Sequence, residues 1–196
     1  GIIYVGSKGK MMQLTYGHEP RLLPKSLHEQ VGEPKPLLPR VTHAQDEHFM
    51  RLALGYAEAA SAHDDVPIGA VVVRRGEVIG AAGNERELRA DPTAHAECLA
   101  IREAALTLRG WRLIDAQLYC TLEPCPMCAG AIAQARLARV VYGAPDLKIG
   151  AAGSVVDLLR SPRLHQRVEV TGGVLAAESQ ELLRRFFDER RPSQKV

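Results

Sequence analysis

From residue 45 to residue 190 the sequence switches repeatedly between a helical and a strand-like hydrophobic period, and this alternation constrains the fold more than any other feature. Phe49, Leu52, Ala53, Tyr56, Ala57 and Ala60 recur at helical spacing and predict a helix over 45–61. The compact β-branched run at 68–73, the turn pair Arg75-Gly76 and the run at 78–82 read as a hairpin. A polar loop at 84–91 leads into a helix over 93–108, with capping chemistry and a tolerated early proline in Asp91-Pro92-Thr93. The remaining pattern predicts strands at 117–121, 139–142 and 167–171, helices at 125–136 and 178–190, and a short helix at 154–159. An antiparallel hairpin followed by alternating helices and strands implies a mixed sheet whose later strands run parallel. Helices must then cover both of its faces, giving one three-layer α/β domain.

Residues 1–43 do not share this pattern. They hold five of the twelve prolines (Pro20, Pro24, Pro34, Pro36 and Pro39) and show no useful periodicity, so they read as a flexible proline-rich extension. The expected organisation is therefore an extension at 1–43, a domain at 44–191 and a short tail at 192–196. The extension carries six basic and three acidic residues, so the excess of 25 Lys+Arg over 23 Asp+Glu lies within it and the rest is close to neutral. No global basic signature announces a nucleic-acid partner. The longest apolar runs, near 68–73 and 129–133, fall far short of the roughly 18 residues a membrane span requires. The first residues lack the charged-then-apolar order of a secretory signal. The expected location is the cytoplasm, where the four cysteines (Cys98, Cys120, Cys125 and Cys128) would not form a disulfide framework.

Cys125 and Cys128 form a Cys-x-x-Cys pair, which alone is a redox dithiol, half of a metal site or chance. His95-Ala96-Glu97 opens one predicted helix and Pro124-Cys125-Pro126-Met127-Cys128 opens another. Together they supply an imidazole and two thiolates, a donor set suited to zinc, with both thiolates at the positive end of a helix dipole. His95 and Glu97 are two residues apart, about 200° around a helix, so they cannot be equivalent ligands. The simple solution places His95 at the first turn as a ligand and leaves Glu97 to reach a metal-bound water. Three protein ligands and an open position mark a catalytic zinc, whereas a structural site would be closed by a fourth. Cys98 and Cys120 are the available fourth ligands, but both read as core thiols, Cys98 directed away from the site. Zinc would lower the pKa of bound water toward about 7, with Glu97 as proton carrier. This His-x-Glu and Pro-Cys-x-x-Cys combination is the general signature of zinc deaminases acting on nucleobases.

Read together, these residues make the chain resemble the tRNA-specific adenosine deaminases, within the wider group of cytidine-deaminase-like zinc hydrolases. The similarity spans about residues 46–191. Its specific stretches are Val66-Pro67-Ile68-Gly69-Ala70-Val71, Asp91-Pro92-Thr93-Ala94-His95-Ala96-Glu97, Trp111-Arg112-Leu113, Leu118-Tyr119, Thr121-Leu122-Glu123-Pro124-Cys125, Met127-Cys128-Ala129-Gly130 and Gly150-Ala151-Ala152-Gly153-Ser154. The histidine of His-Ala-Glu separates the chain from cytidine deaminases that use a third cysteine there.

The resemblance implies a cytidine-deaminase-like α-β-α fold with a five-stranded mixed sheet, and one Zn2+ per subunit held by His95, Cys125 and Cys128. It also implies conversion of adenosine to inosine at the tRNA wobble position, with hydroxide attacking adenine C6 and Glu97 shuttling protons. Asn84 would hydrogen-bond the flipped base, Asp146 would contact its ribose or neighbouring backbone, and Lys148 would meet phosphate. The family usually has Asn-His before the fifth strand, where this chain has His165-Gln166, so His165 is expected to substitute in hydrogen bonding. Implied partners are the tRNA anticodon stem-loop and a second copy of the chain, meeting at the helix 125–136 and adjoining loops. Candidate phosphate contacts are Arg160, Arg163, Arg167, Arg184, Arg185, Arg190 and Arg191, with Phe186 or Phe187 as a stacking surface. The last four of these arginines equally read as the basic end of an amphipathic helix whose phenylalanines are core. The competing function is deamination of a free base, guanine or cytosine.

Overall fold

A computed structural model describes residues 44–163 and 167–190, together with three short strands nearer the N-terminus. The chain divides into two compact units, Gly1–Thr42 and His43–Val196. In the first, β1 (Ile2–Gly6), β2 (Gly9–Gln13) and β3 (Arg21–Leu23) form an antiparallel sheet, with Ile2 paired to Gln13 and Lys10 to Leu23. Three short strands thus lie within residues 2–23, where the sequence shows no useful periodicity. All five prolines lie at position 20 or beyond, whereas Ile2-Ile3-Tyr4-Val5 is a β-branched and aromatic run that favours a strand.

The second unit begins with α1 (Ala44–Ala60) and a 3-10 turn at Ser61–His63. It continues through β4 (Gly69–Arg74), β5 (Glu77–Gly83), α2 (Arg86–Arg89), α3 (Ala96–Thr107), β6 (Ala116–Leu122) and α4 (Pro126–Ala135). It ends with β7 (Arg139–Ala144), β8 (Glu169–Gly172) and α5 (Ala176–Arg190). The sheet order is β5-β4-β6-β7-β8; β4 is antiparallel to β5 and β6, and β6-β7-β8 are parallel. The mixed five-stranded sheet expected from the alternation is therefore present.

Strand periodicity sorts the core into two layers. Ala70, Val72, Leu118, Cys120 and Val140 face α3 and α4, where Ala96, Ala100, Ala104, Ala129 and Ile132 complete one cluster. Val71, Val73, Tyr119 and Val141 point the other way, onto Phe49, Met50 and Ala53 of α1. α5 packs beside α1, across β6 and β7. Small residues set how closely the layers approach. A Cβ on Gly69 would overlap the Ala53 carbonyl of α1, and one on Gly80 would overlap the Ala100 carbonyl of α3. Two helices thus lie almost backbone-to-backbone on the hairpin.

At the start of β6 and β7 a buried ionic network joins α1 to the sheet. Arg139 donates to both carboxylate oxygens of Asp46 (2.7 and 2.8 Å) and to Thr171 Oγ1 (2.9 Å), while Tyr119 Oη donates to Asp46 Oδ1 (3.0 Å). Burial pushes the Tyr119 phenol well above its ordinary range, with the Asp46 charge adding to the effect.

The predicted helix at 154–159 is absent. Val155 and Val156 both donate to the Gly150 carbonyl (3.1 Å each), and Ala152 bridges Asp157, so the segment folds back as a turn. Two adjacent β-branched residues favour that outcome over a helical turn.

Candidate active site

Two helix starts converge to build the site. Asp91 Oδ1 accepts bonds from the Thr93 N–H (2.8 Å) and hydroxyl (2.7 Å), making a turn before α3 where the sequence pattern predicts the helix to have begun. The helix starts instead at Ala96, and His95 is its N-cap, with extended backbone (φ −72°, ψ 146°). Cys125 occupies the equivalent position before α4 (φ −72°, ψ 170°), with Pro126 in the first turn. An extended N-cap lets His95 leave the helix axis at a different angle from Glu97, which resolves the two-residue spacing.

His95 Nδ1 lies 3.7 Å from Cys125 Sγ and 3.5 Å from Cys128 Sγ, and all three donor atoms lie within 4.8 Å of one another. A tetrahedral ion with Zn–S of about 2.3 Å and Zn–N of about 2.0–2.1 Å requires N···S edges of roughly 3.5 Å. The residues present therefore fit zinc in both chemistry and spacing. Hydrogen bonds with Cys128 and His95 hold the Cys125 thiol down to about 4 against the effect of burial, and the bond with Cys125 raises His95. The same sharing, with Cys125 first and Cys98 next, pushes Cys128 up, and a bound metal would displace its proton.

Cys98 is not directed away as expected. It is only half-buried, with Sγ 3.8 Å from Cys128 Sγ, yet it does not join the group of mutually close donors. The assignment predicts that Cys128→Ser reduces bound zinc below a tenth of the wild-type content after dialysis, whereas Cys98→Ser retains it. Elemental analysis of both variants is the check, and the opposite pattern would transfer the ligand role to Cys98.

Glu97 is the second residue of α3 and 3% exposed. Burial raises its carboxyl pKa, partly offset by its own backbone N–H and the nearby His95. A buried carboxyl with a raised pKa thus stands beside the three candidate donors.

A family model of MafB19-like deaminases matches residues 44–191. Over 152 residues the chain is 47% identical to the tRNA-specific adenosine deaminase of Bacillus subtilis (strain 168), covering 78% of this chain and 94% of that protein. The chain belongs to the tRNA-specific adenosine deaminases. Among solved structures, one from studies of A-to-I editing by tRNA:A34 deaminases matches with a TM-score of 0.67 and 48% identity, over 69% of this chain and 99% of that one. A guanine deaminase from Nitrosomonas europaea is more distant in sequence, at 26% identity with a TM-score of 0.63, over 89% of this chain and 96% of that one.

The deaminase's other expected site residues lie in two loops. Asn84 follows β5 and is buried; its Nδ2 donates to the Val66 carbonyl (3.4 Å) and its N–H to that of Ile68 (2.8 Å). The next N–H, of Glu85, donates to the Ala94 carbonyl (3.0 Å), tying this loop to the segment carrying His95. Asp65 secures the following turn by accepting from the Glu87 and Leu88 N–H groups (2.9 and 3.1 Å). These bonds hold its carboxyl below the usual range although burial alone would raise it. Asp146 follows β7, and its Oδ1 accepts the N–H groups of Lys148 (2.9 Å) and Ile149 (3.2 Å). Lys148 is exposed. His165 and Arg191 lie outside the described residues.

Several candidate arginines of the deaminase are already engaged. Arg160 pairs with Asp157 (2.8 Å), Arg184 with Glu181 (2.7 Å) and Asp188 (3.0 Å), and Arg190 with Asp64 (2.5 Å). Phe186 is buried with the Arg190 guanidinium 3.6 Å above its ring, whereas Phe187 is 48% exposed. Phe186 thus follows the core reading. Glu123, given no role of its own by sequence reasoning, is also buried; the available signal was a carboxylate at a strand end beside Pro124-Cys125.

Proposed function

We infer that this protein hydrolyses adenosine to inosine at the wobble position of a tRNA anticodon, using zinc held by His95, Cys125 and Cys128. The single observation that carries the chemistry is the juxtaposition of this three-donor cluster with the buried carboxyl of Glu97. The relatives carry the substrate class, since the tRNA:A34 deaminase shares 48% identity and the guanine deaminase 26%.

Zinc, when bound, supplies the Lewis acid that makes water a nucleophile at neutral pH. Glu97 takes one proton of the attacking water and places it on the purine ring nitrogen N1; it then carries the second proton, left on the new C6 hydroxyl, to the amino group, which departs as ammonia as the C6–N bond breaks and the C6 carbonyl forms. Asn84 hydrogen-bonds the extruded base, Asp146 the ribose or adjoining backbone and Lys148 a phosphate, with His165 supplying a further hydrogen bond to the substrate. Extrusion costs little in an anticodon loop because its bases are unpaired.

The same reading pairs two chains through α4 and adjoining loops. Met127 on α4 is exposed, as are Leu106 and Trp111, which line one groove. Among the described residues no helix is long and apolar enough to cross a membrane; the proposed tRNA substrate supports a cytoplasmic location.

Side-by-side assays on an anticodon stem-loop with a wobble adenosine, free guanine and free cytosine test the function. Inosine is expected in the stem-loop and no product from either base, with stem-loop affinity falling steeply as salt rises. Turnover of a free base alone would overturn the RNA reading, and salt-independent affinity would remove the arginine contacts.

A further inference from the structure

The loop after β7 carries Asp146 and Lys148, yet among the described residues no helix or regular strand spans 145–160. It is organised around one side chain. Glu123, 2% exposed at the end of β6, accepts the Asp146 N–H on Oε2 and the N–H groups of Ala152 and Ser154 on Oε1, each at 3.0 Å. Its own N–H donates to the Ala144 carbonyl (2.9 Å), and the Pro124 carbonyl accepts from Ala151 (2.8 Å). The wrapping is tight enough to require glycine at 150, where a Cβ would stand 2.5 Å from both Glu123 Oε2 and the Asp146 carbonyl.

An ionised carboxylate is the side chain that can accept all these N–H groups at once, since both oxygens are acceptors and neither donates. It is also two residues from Cys125. One short segment therefore positions both Cys125 and the loop that carries Asp146 and Lys148.

We propose that Glu123 is a positioning residue that sets the Asp146–Lys148 loop in register with the metal centre, so that the nucleotide's ribose-phosphate is held where its base reaches Glu97. This rests on the tRNA deaminase reading. The loop's action is on substrate binding, through Asp146, and the carboxylate itself touches no reacting atom. Glu123→Gln separates the contacts. The retained oxygen still accepts from Ala152 and Ser154, while the amide NH2 opposes the Asp146 N–H and releases that end of the loop.

The test uses the full-length zinc-loaded protein. With Glu123→Gln, zinc content stays at the wild-type level, KM for the anticodon stem-loop rises about tenfold and kcat stays within about threefold, the pattern of lost uniform binding. Amide hydrogen exchange of residues 146–154 quickens by at least about tenfold, while α3 and α4 are unchanged. Glu123→Asp keeps the charge but draws the carboxylate back by one CH2, so the same KM shift appears at smaller size; this variant carries the test if the glutamine form does not fold. Unchanged KM and exchange would overturn the proposal. So would loss of zinc, or a fall in kcat at constant KM, because a merely structural residue would reduce the active fraction instead. Wild-type inactivity on the stem-loop marks failure of the functional reading and takes this inference with it; wild-type activity with an unaltered KM in both variants marks failure of this inference alone.

Discussion

Replacing Glu97 with Gln is expected to lower adenosine deamination by about 10²- to 10⁴-fold, the usual contribution of a positioned general acid–base group, while zinc content is unchanged. Glutamine has nearly the same shape and keeps the buried site polar, but it cannot accept a proton from water and deliver it to the base. Glu97 is suited to that work because burial raises its carboxyl pKa, narrowing the gap between taking a proton and returning it. Its place one residue inside α3, with His95 at the N-cap, keeps it out of the donor group formed by His95, Cys125 and Cys128. Glu97→Ala should likewise keep zinc and lose turnover, whereas Cys128→Ser loses both. Single-turnover assays on the stem-loop with elemental analysis of the same samples provide the measurement. Activity within a few-fold of wild type would remove Glu97 from the proton path.

The sequence pattern is most legible where one period governs a whole element. The core faces of β4 and β6 alternate strictly, so Val71, Val73 and Tyr119 meet α1 while Ala70, Val72, Leu118 and Cys120 meet α3 and α4. The convergence of His95, Cys125 and Cys128 is equally legible, because His-Ala-Glu and Pro-Cys-x-x-Cys each mark a helix start and together supply one donor set. What the sequence concealed depends on contacts distant in the chain. Glu123 resembles any strand-end carboxylate until residues 146–154 close over it. The turn at 150–156 is the local exception: Val155 and Val156 both bond the Gly150 carbonyl, and the adjacent β-branched pair is the signal that outweighs the helical spacing. Cys98 looked like a core thiol because its neighbours are apolar, yet it stands beside Cys128. In the N-terminal unit a proline count taken over 43 residues hid a proline-free hairpin at its start.

Asp46→Ala should destabilise the domain by about 3–5 kcal/mol, the loss typical when one partner of a buried ion pair is removed. Asp46 is 5% exposed and accepts two bonds from the largely buried Arg139 guanidinium and one from Tyr119, so its removal takes away the one charge that neutralises Arg139 on the buried side and leaves the phenol with Gln117 Oε1 alone, at 3.1 Å. Arg139 keeps Thr171, Glu169 and Gln117, at 2.9, 3.1 and 3.3 Å, but two of these are neutral and the Glu169 carboxylate is largely exposed and compensates weakly. With a urea m-value of about 2 kcal/mol/M, the unfolding midpoint should fall by about 2 M. Replacing both partners, as Asp46→Ala with Arg139→Met, should cost less than the sum of the single changes, because no unpaired charge remains buried. A single-variant loss below about 1 kcal/mol would show that water or another group satisfies Arg139. The network lies at the start of β6 and β7, whereas Cys125 follows the end of β6, so the two occupy opposite ends of the parallel strands. Zinc content and kcat per folded molecule should therefore be unaffected at low temperature. That separates the residues holding the layers together from those doing chemistry at the strands' carboxyl ends, where open α/β sheets place their ligands.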